Sequence, residues 1–193
     1  MINKKEYPMK KAAVVLSIIA LLSTAAFAID GASGLGAGAS KFEAGYTGGG
    51  NTLAYNFGLT QDLTAFASIS GAGSITGIGA GVKYAVFNER KGDAVSLSPK
   101  VSLLLGNGSA FPAPGLVVSK KMNKDMTVLG DFWTFSTGPY DNFMWFGGGA
   151  VYNINDHFQV AGELGIATYS LAYLSYRSSL SGIGFGIGLN YLL

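Results

Sequence analysis

The final twelve residues, Gly182 to Leu193, alternate with a period of two. Ile183, Phe185, Ile187, Leu189, Tyr191 and Leu193 fall on one side, and Gly182, Gly184, Gly186, Gly188 and Asn190 on the other. That period belongs to a β-strand with two unlike faces. The pattern returns upstream. Leu53, Tyr55, Phe57 and Leu59 oppose Ala54, Asn56, Gly58 and Thr60, and Ile78, Val82, Tyr84 and Val86 oppose Gly77, Gly79, Gly81 and Lys83. Val101, Leu103 and Leu105 oppose Lys100 and Ser102, and Phe158, Val160, Leu164 and Ile166 oppose Gln159, Ala161, Glu163 and Gly165.

Breaks in the pattern divide the chain into ten predicted strands, near 40–47, 52–60, 63–70, 76–87, 94–105, 115–122, 125–135, 143–153, 157–168 and 180–193. The segments at 115–122 and 143–153 alternate least, and a count of eight follows if 63–70 and 113–122 are not strands. Polar clusters at 60–62, 88–93, 122–125 and 153–156 read as tight turns. Gly-, Ser- and Pro-rich stretches at 47–52, 71–76, 106–114, 136–142 and 169–179 read as longer loops at the opposite end. The uncharged run Leu63 to Val82 holds five glycines, which disfavours a membrane helix. Strands of this length and even number, apolar on one face, predict an all-β fold: a transmembrane up-and-down antiparallel β-barrel.

The chain begins as an exported protein does. Lys4, Lys5, Lys10 and Lys11 precede the apolar stretch Ala12 to Leu22, and Ala26-Phe27-Ala28 is a small-x-small cleavage site. Residues 1–28 are therefore expected to be a signal peptide and 29–193 the barrel, with Met9 as an alternative start. Without the leader the chain carries 9 basic and 10 acidic side chains, with no clustered basic face for nucleic acid. Cysteine is absent, so stability must come from pairing and packing.

Placing the apolar faces in lipid assigns the others to the lumen. Lys41, Glu43, Lys83, Lys100, Asp131 and Glu163 are the candidate lumen lining, with Lys120 or Lys121 as a further member. Two readings stand open: an internal ion-pair network that rigidifies a filled barrel, and a narrow pore lined by mixed charge. The inward glycine rows suggest spare room. They do not form the G-x-G-x-x-G dinucleotide fingerprint between a strand and a helix, and no cofactor site follows from them.

Catalytic and metal-binding constellations are not recognisable. His157 is the single histidine, and His157-Phe158-Gln159 lacks the serine a rim hydrolase would pair with it. An Asp131–Glu163 carboxylate pair has no separation fixed by sequence, and no ligand cluster has metal spacing. Aromatic residues fall in two groups. Tyr55, Phe57, Tyr84, Phe87, Tyr152, Phe158 and Tyr191 lie towards the turns, and a denser set, including Trp133, Phe135, Tyr140, Phe143 and Trp145, surrounds one outer loop. Two interfacial girdles are expected; the denser set is also a candidate outer lip for a hydrophobic ligand. The stretch Gly31 to Ala39 is too short for a plug domain, and the near-uncharged loops disfavour adhesion and active uptake.

Taken together, the chain resembles the small outer-membrane β-barrel proteins of bacteria with two membranes. The closing strand carries the most specific element: Phe185, Ile187, Leu189, Tyr191 and Leu193 match the family's alternating terminal assembly signal, with Leu193 where an aromatic residue is usual. The resemblance implies outer-membrane lipid and the barrel-assembly machinery as partners, and localisation in the outer membrane after export. The function expected from the residues is that of a non-enzymatic barrel, structural or a narrow passive pore for small solutes. The alternatives are a rim enzyme acting on lipid or peptide and a binder of a hydrophobic ligand. Oligomeric state is not legible.

Overall fold

The computed structural model describes residues 31–47, 50–72, 75–106, 109–138, 141–171 and 178–193. The expected signal peptide lies outside them. Ten antiparallel strands close on themselves: β1 (Ser40–Thr47), β2 (Gly50–Gly58), β3 (Leu63–Ala72), β4 (Ile75–Tyr84), β5 (Ser96–Gly106), β6 (Ser109–Lys121), β7 (Met126–Gly138), β8 (Asp141–Asn153), β9 (Phe158–Leu171) and β10 (Ser178–Leu192). Each pairs with its sequence neighbours, and β1 closes on β10 with Lys41 opposite Leu192 and Thr47 opposite Gly186. Closure gives every strand a partner on both sides, the condition for backbone to cross hydrocarbon.

The two faces divide as the alternation requires. Leu53, Ile69, Val101, Leu164, Phe185 and Ile187 face outward and are 47–64% exposed. Lys41, Glu43, Asn56, Lys83, Lys100 and Asn190 face inward and are buried. Near the terminal end, Phe42 packs on Tyr55 and Phe158 on Tyr191, with ring centroids 4.8 and 4.9 Å apart. This is an outward aromatic group of the kind that favours a membrane interface.

Three terminal-end turns share one device. Thr60 Oγ1 accepts from the backbone of Asp62 and Leu63, Asn123 Oδ1 from Asp125 and Met126, and Asn155 Oδ1 from His157 and Phe158. Such side chains stand in for backbone acceptors and close a chain reversal. The fourth connection, 85–95, is no tight turn. It contains a 3-10 turn, Glu89–Lys91, capped by Asn88 and ended by Gly92 at φ 96°.

The opposite end departs from expectation. Strands extend through most of 106–114 and 136–142, leaving two residues between β5 and β6 and between β7 and β8. Pro112 and Pro114 lie within β6, paired with Leu103 and Val101. Pairing of β6 with β7 begins only at Gly115, so the missing N–H groups face no ladder on that side. The longest described connection therefore lies at the terminal end, where short turns were expected.

Candidate functional site in the lumen

Alternation brings all six charged candidates into the lumen, where they are only 2–8% exposed. Lys41 pairs with Glu43. Lys83 Nζ donates to the carbonyl of Gly31 over 2.7 Å. Lys100 Nζ lies 3.7 Å from Asp131 Oδ2. Asp131 and Glu163 converge on one donor, the indole N–H of Trp145, at 3.0 and 2.8 Å. The carboxylate pair that sequence left without geometry is thus held by a tryptophan two strand positions from Phe143. Lys120 points outward, and Lys121 is exposed beside the terminal mouth.

The aromatic set needs correction. Trp133, Phe135, Phe143 and Trp145 form neither girdle nor outer lip: they face inward and are 1–5% exposed. With Leu104 and Ala113 they make one buried cluster, against which Phe111 packs. Trp133 stacks on Phe135 at 5.9 Å and meets Phe143 at 4.8 Å. Their neighbours Phe132 and Phe146 form a separate pair at 4.8 Å, with Phe146 exposed on the outer face. Tyr140 lies outside the described residues. Asp131 carried the signal for this orientation: a charge that must face inward sets the same parity for Trp133 and Phe135.

The glycine rows give no spare room where their surroundings are described. A Cβ on Gly165 would lie 2.4 Å from Trp145 Cζ2, and one on Gly184 2.7 Å from Trp145 Cζ3. A Cβ on Gly81 would meet Phe66 Cζ at 2.7 Å, and one on Gly147 would meet Glu163 Oε1 at 2.0 Å. These glycines are the recesses that admit large side chains from neighbouring strands.

The terminal end holds the feature sequence missed. Residues 31–35, part of the stretch Gly31 to Ala39 that is too short for a plug domain, run inside the lumen. Ala32 is fully buried. Its N–H donates to Ser119 Oγ over 2.7 Å, and its carbonyl accepts from Ser98 Oγ. The Leu35 N–H donates to Thr64 Oγ1, and its carbonyl accepts from Arg90 Nη1 at 2.9 Å. Beside this strap remains a cavity of about 370 Å³, lined among others by Lys41, Glu89, Arg90, Lys121 and Gln159.

His157 sits in its turn, exposed, with Nδ1 3.3 Å from the Leu192 carbonyl. Among the described residues no three potential ligands gather as a metal site.

No protein-family model matches the chain, and no curated protein matches its sequence. Solved structures do share its fold. The NanC porin superposes with a TM-score of 0.52 at 16% identity, over 80% of this chain and 100% of that one. The KdgM porin in complex with disordered oligogalacturonate gives 0.51 at 13% identity, over 79% and 98%. The chain shares the barrel fold of these two porins. Its outer face carries the exposed apolar residues such a wall presents to lipid.

Proposed function

We propose that the protein is an integral outer-membrane barrel acting as a narrow passive pore for small solutes, in a nearly closed conformation. The observation that carries this reading is the belt of three lysines and three carboxylates inside the wall. Removing such groups from bulk water costs several kcal/mol per ion unless pairing offsets it. A barrel needing only a filled interior has a cheaper solution, which this one uses between Leu104 and Phe143. Ionisable groups kept within a membrane span and turned inward ordinarily mark a route for ions or polar solutes. Side chains of both signs in the belt favour weak discrimination between anions and cations. The fold shared with the KdgM and NanC porins is compatible with this role.

The structural reading keeps one observation in its favour: the belt is buried and the aromatic cluster packs beside it. Planar-bilayer recording separates the two. Wild-type protein should give brief, low-conductance events, and a variant combining Trp133→Ala with Trp145→Ala should raise single-channel conductance several-fold. Both proteins must first pass a heat-modifiable gel shift as a test of folding. Silence from the folded variant would establish the structural reading instead.

A further inference from the structure

We propose that the side chains lining the terminal end of the lumen form a binding site for an extended polypeptide main chain. The site is filled here by the protein's own residues 31–35, and unseating of this strap opens the pore. The gating half rests on the pore reading above; the site rests on geometry alone.

The recognition is of backbone. Gly31 offers a carbonyl to Lys83, Ala32 both its groups to Ser119 and Ser98, and Leu35 both its groups to Thr64 and Arg90. Ser33 adds a hydroxyl contact to Ser96 at 2.8 Å. The receptor side chains come from four consecutive strands, β3 to β6, and from the 3-10 turn. Thr64, Lys83, Ser96, Ser98 and Ser119 are buried around the strap. The occupant, Gly-Ala-Ser-Gly-Leu, is small throughout except at its last residue. A Cβ on Gly34 would fall 2.3 Å from the Gln61 carbonyl, so the seat admits no larger side chain there without movement.

The attachment suits a part that leaves and returns. None of the five strap residues joins the β-ladder; ladder-like bonds begin at Gly38, whose N–H donates to Gly58. Between strap and barrel stand Gly36 and Gly38, at φ 97° and 79°. Two left-handed glycines one residue apart make a joint that few other residues would permit. The 3-10 turn closes over the seat: Arg90 holds Leu35, and Glu89 accepts from the backbone N–H of Lys121.

The absence of cysteine gives a clean test. Ser33→Cys and Ser96→Cys should join under mild oxidation in folded protein, and oxidation should cut pore openings at least tenfold relative to the reduced form. Deleting residues 31–35 should increase openings. The capped peptide acetyl-Gly-Ala-Ser-Gly-Leu-amide, added to that deletion variant, should suppress them again. Failure of the disulfide to form would overturn the seat. A disulfide that forms without changing conductance, or a peptide without effect, would overturn the gate while leaving the pore reading intact. Folded deletion protein that never conducts would overturn the pore reading and the gate together, with disulfide yield still reporting on the seat.

Discussion

Trp145 and Glu163 stand on adjacent strands, and the indole N–H of one donates to Oε1 of the other over 2.8 Å. That bond organises the middle of the lumen. The same N–H reaches Asp131, which lies near Lys100, while the ring lies over Gly165 and Gly184. One side chain thus links the charged belt to the aromatic cluster, and it fits only because three strands present glycine beside it.

Gly147 tests that fit. A methyl group there would meet Glu163 Oε1, Asp131 Oδ1 and Trp145 Nε1 at 2.0–2.5 Å. Gly147→Ala should destabilise the barrel by ~1–3 kcal/mol, as overpacking usually does. The next residue is the control: a Cβ on Gly148 meets nothing closer than 3.7 Å, so Gly148→Ala should be close to neutral. Urea midpoints in detergent would compare them.

Trp145→Phe should keep much of the ring and remove the shared donor. Asp131 and Glu163 would then lose a hydrogen bond each inside a buried site, at a cost of ~1–3 kcal/mol. Adding Glu163→Gln should recover part of the loss, since an amide can donate a hydrogen bond to Asp131 in place of the lost indole. A double-mutant cycle on unfolding midpoints checks the coupling; strict additivity would contradict the shared hydrogen bond.

Much of this architecture is legible in the chain. Lys83 and Lys100 show their direction because their neighbours Val82 and Val101 are apolar and unambiguous. The cluster from Phe132 to Phe146 does not, because there both parities are aromatic: a lumen filled with rings erases the contrast on which a period-two reading depends. Parity counted from Asp131 recovers it. The strap is harder. Its five residues show no period, and its placement depends on hydroxyls such as Ser119, 87 positions away from Ala32. Isolated serines on a strand carry no sign of what they hold.

Ile187 probes the wall. It is 59% exposed on the outer face of β10, opposite Tyr46 of β1 and Gly162 of β9. Ile187→Arg should cost ~2–4 kcal/mol if the site lies at the bilayer midplane. Ile187→Val should change stability little. Measurement belongs in lipid vesicles, where the outer face meets hydrocarbon; equal stability of the two variants there would contradict the assignment of that face.

Outside the wall, pH should act through Asp62 and Lys91. Asp62 accepts from Lys91 Nζ and, at 3.1 Å, from Asn88 Nδ2. The bond from Lys91, then that from Asn88, lowers the Asp62 pKa from its ordinary 3.8, and Asp62 in turn raises Lys91 above 10.5. A carboxylate with a depressed pKa stabilises the fold above its unfolded value and loses that contribution as pH falls through the folded one. An ammonium with a raised pKa stabilises below its unfolded value and loses it as pH rises through the folded one. Asp62→Asn should therefore be less stable than wild type across neutral pH. The difference should close at both extremes, below the acid edge set by Asp62 and above the alkaline edge set by Lys91. Unfolding midpoints across the pH range check it, with Lys91→Met expected to remove the alkaline edge and only part of the acid one, because Asn88 still donates to Asp62.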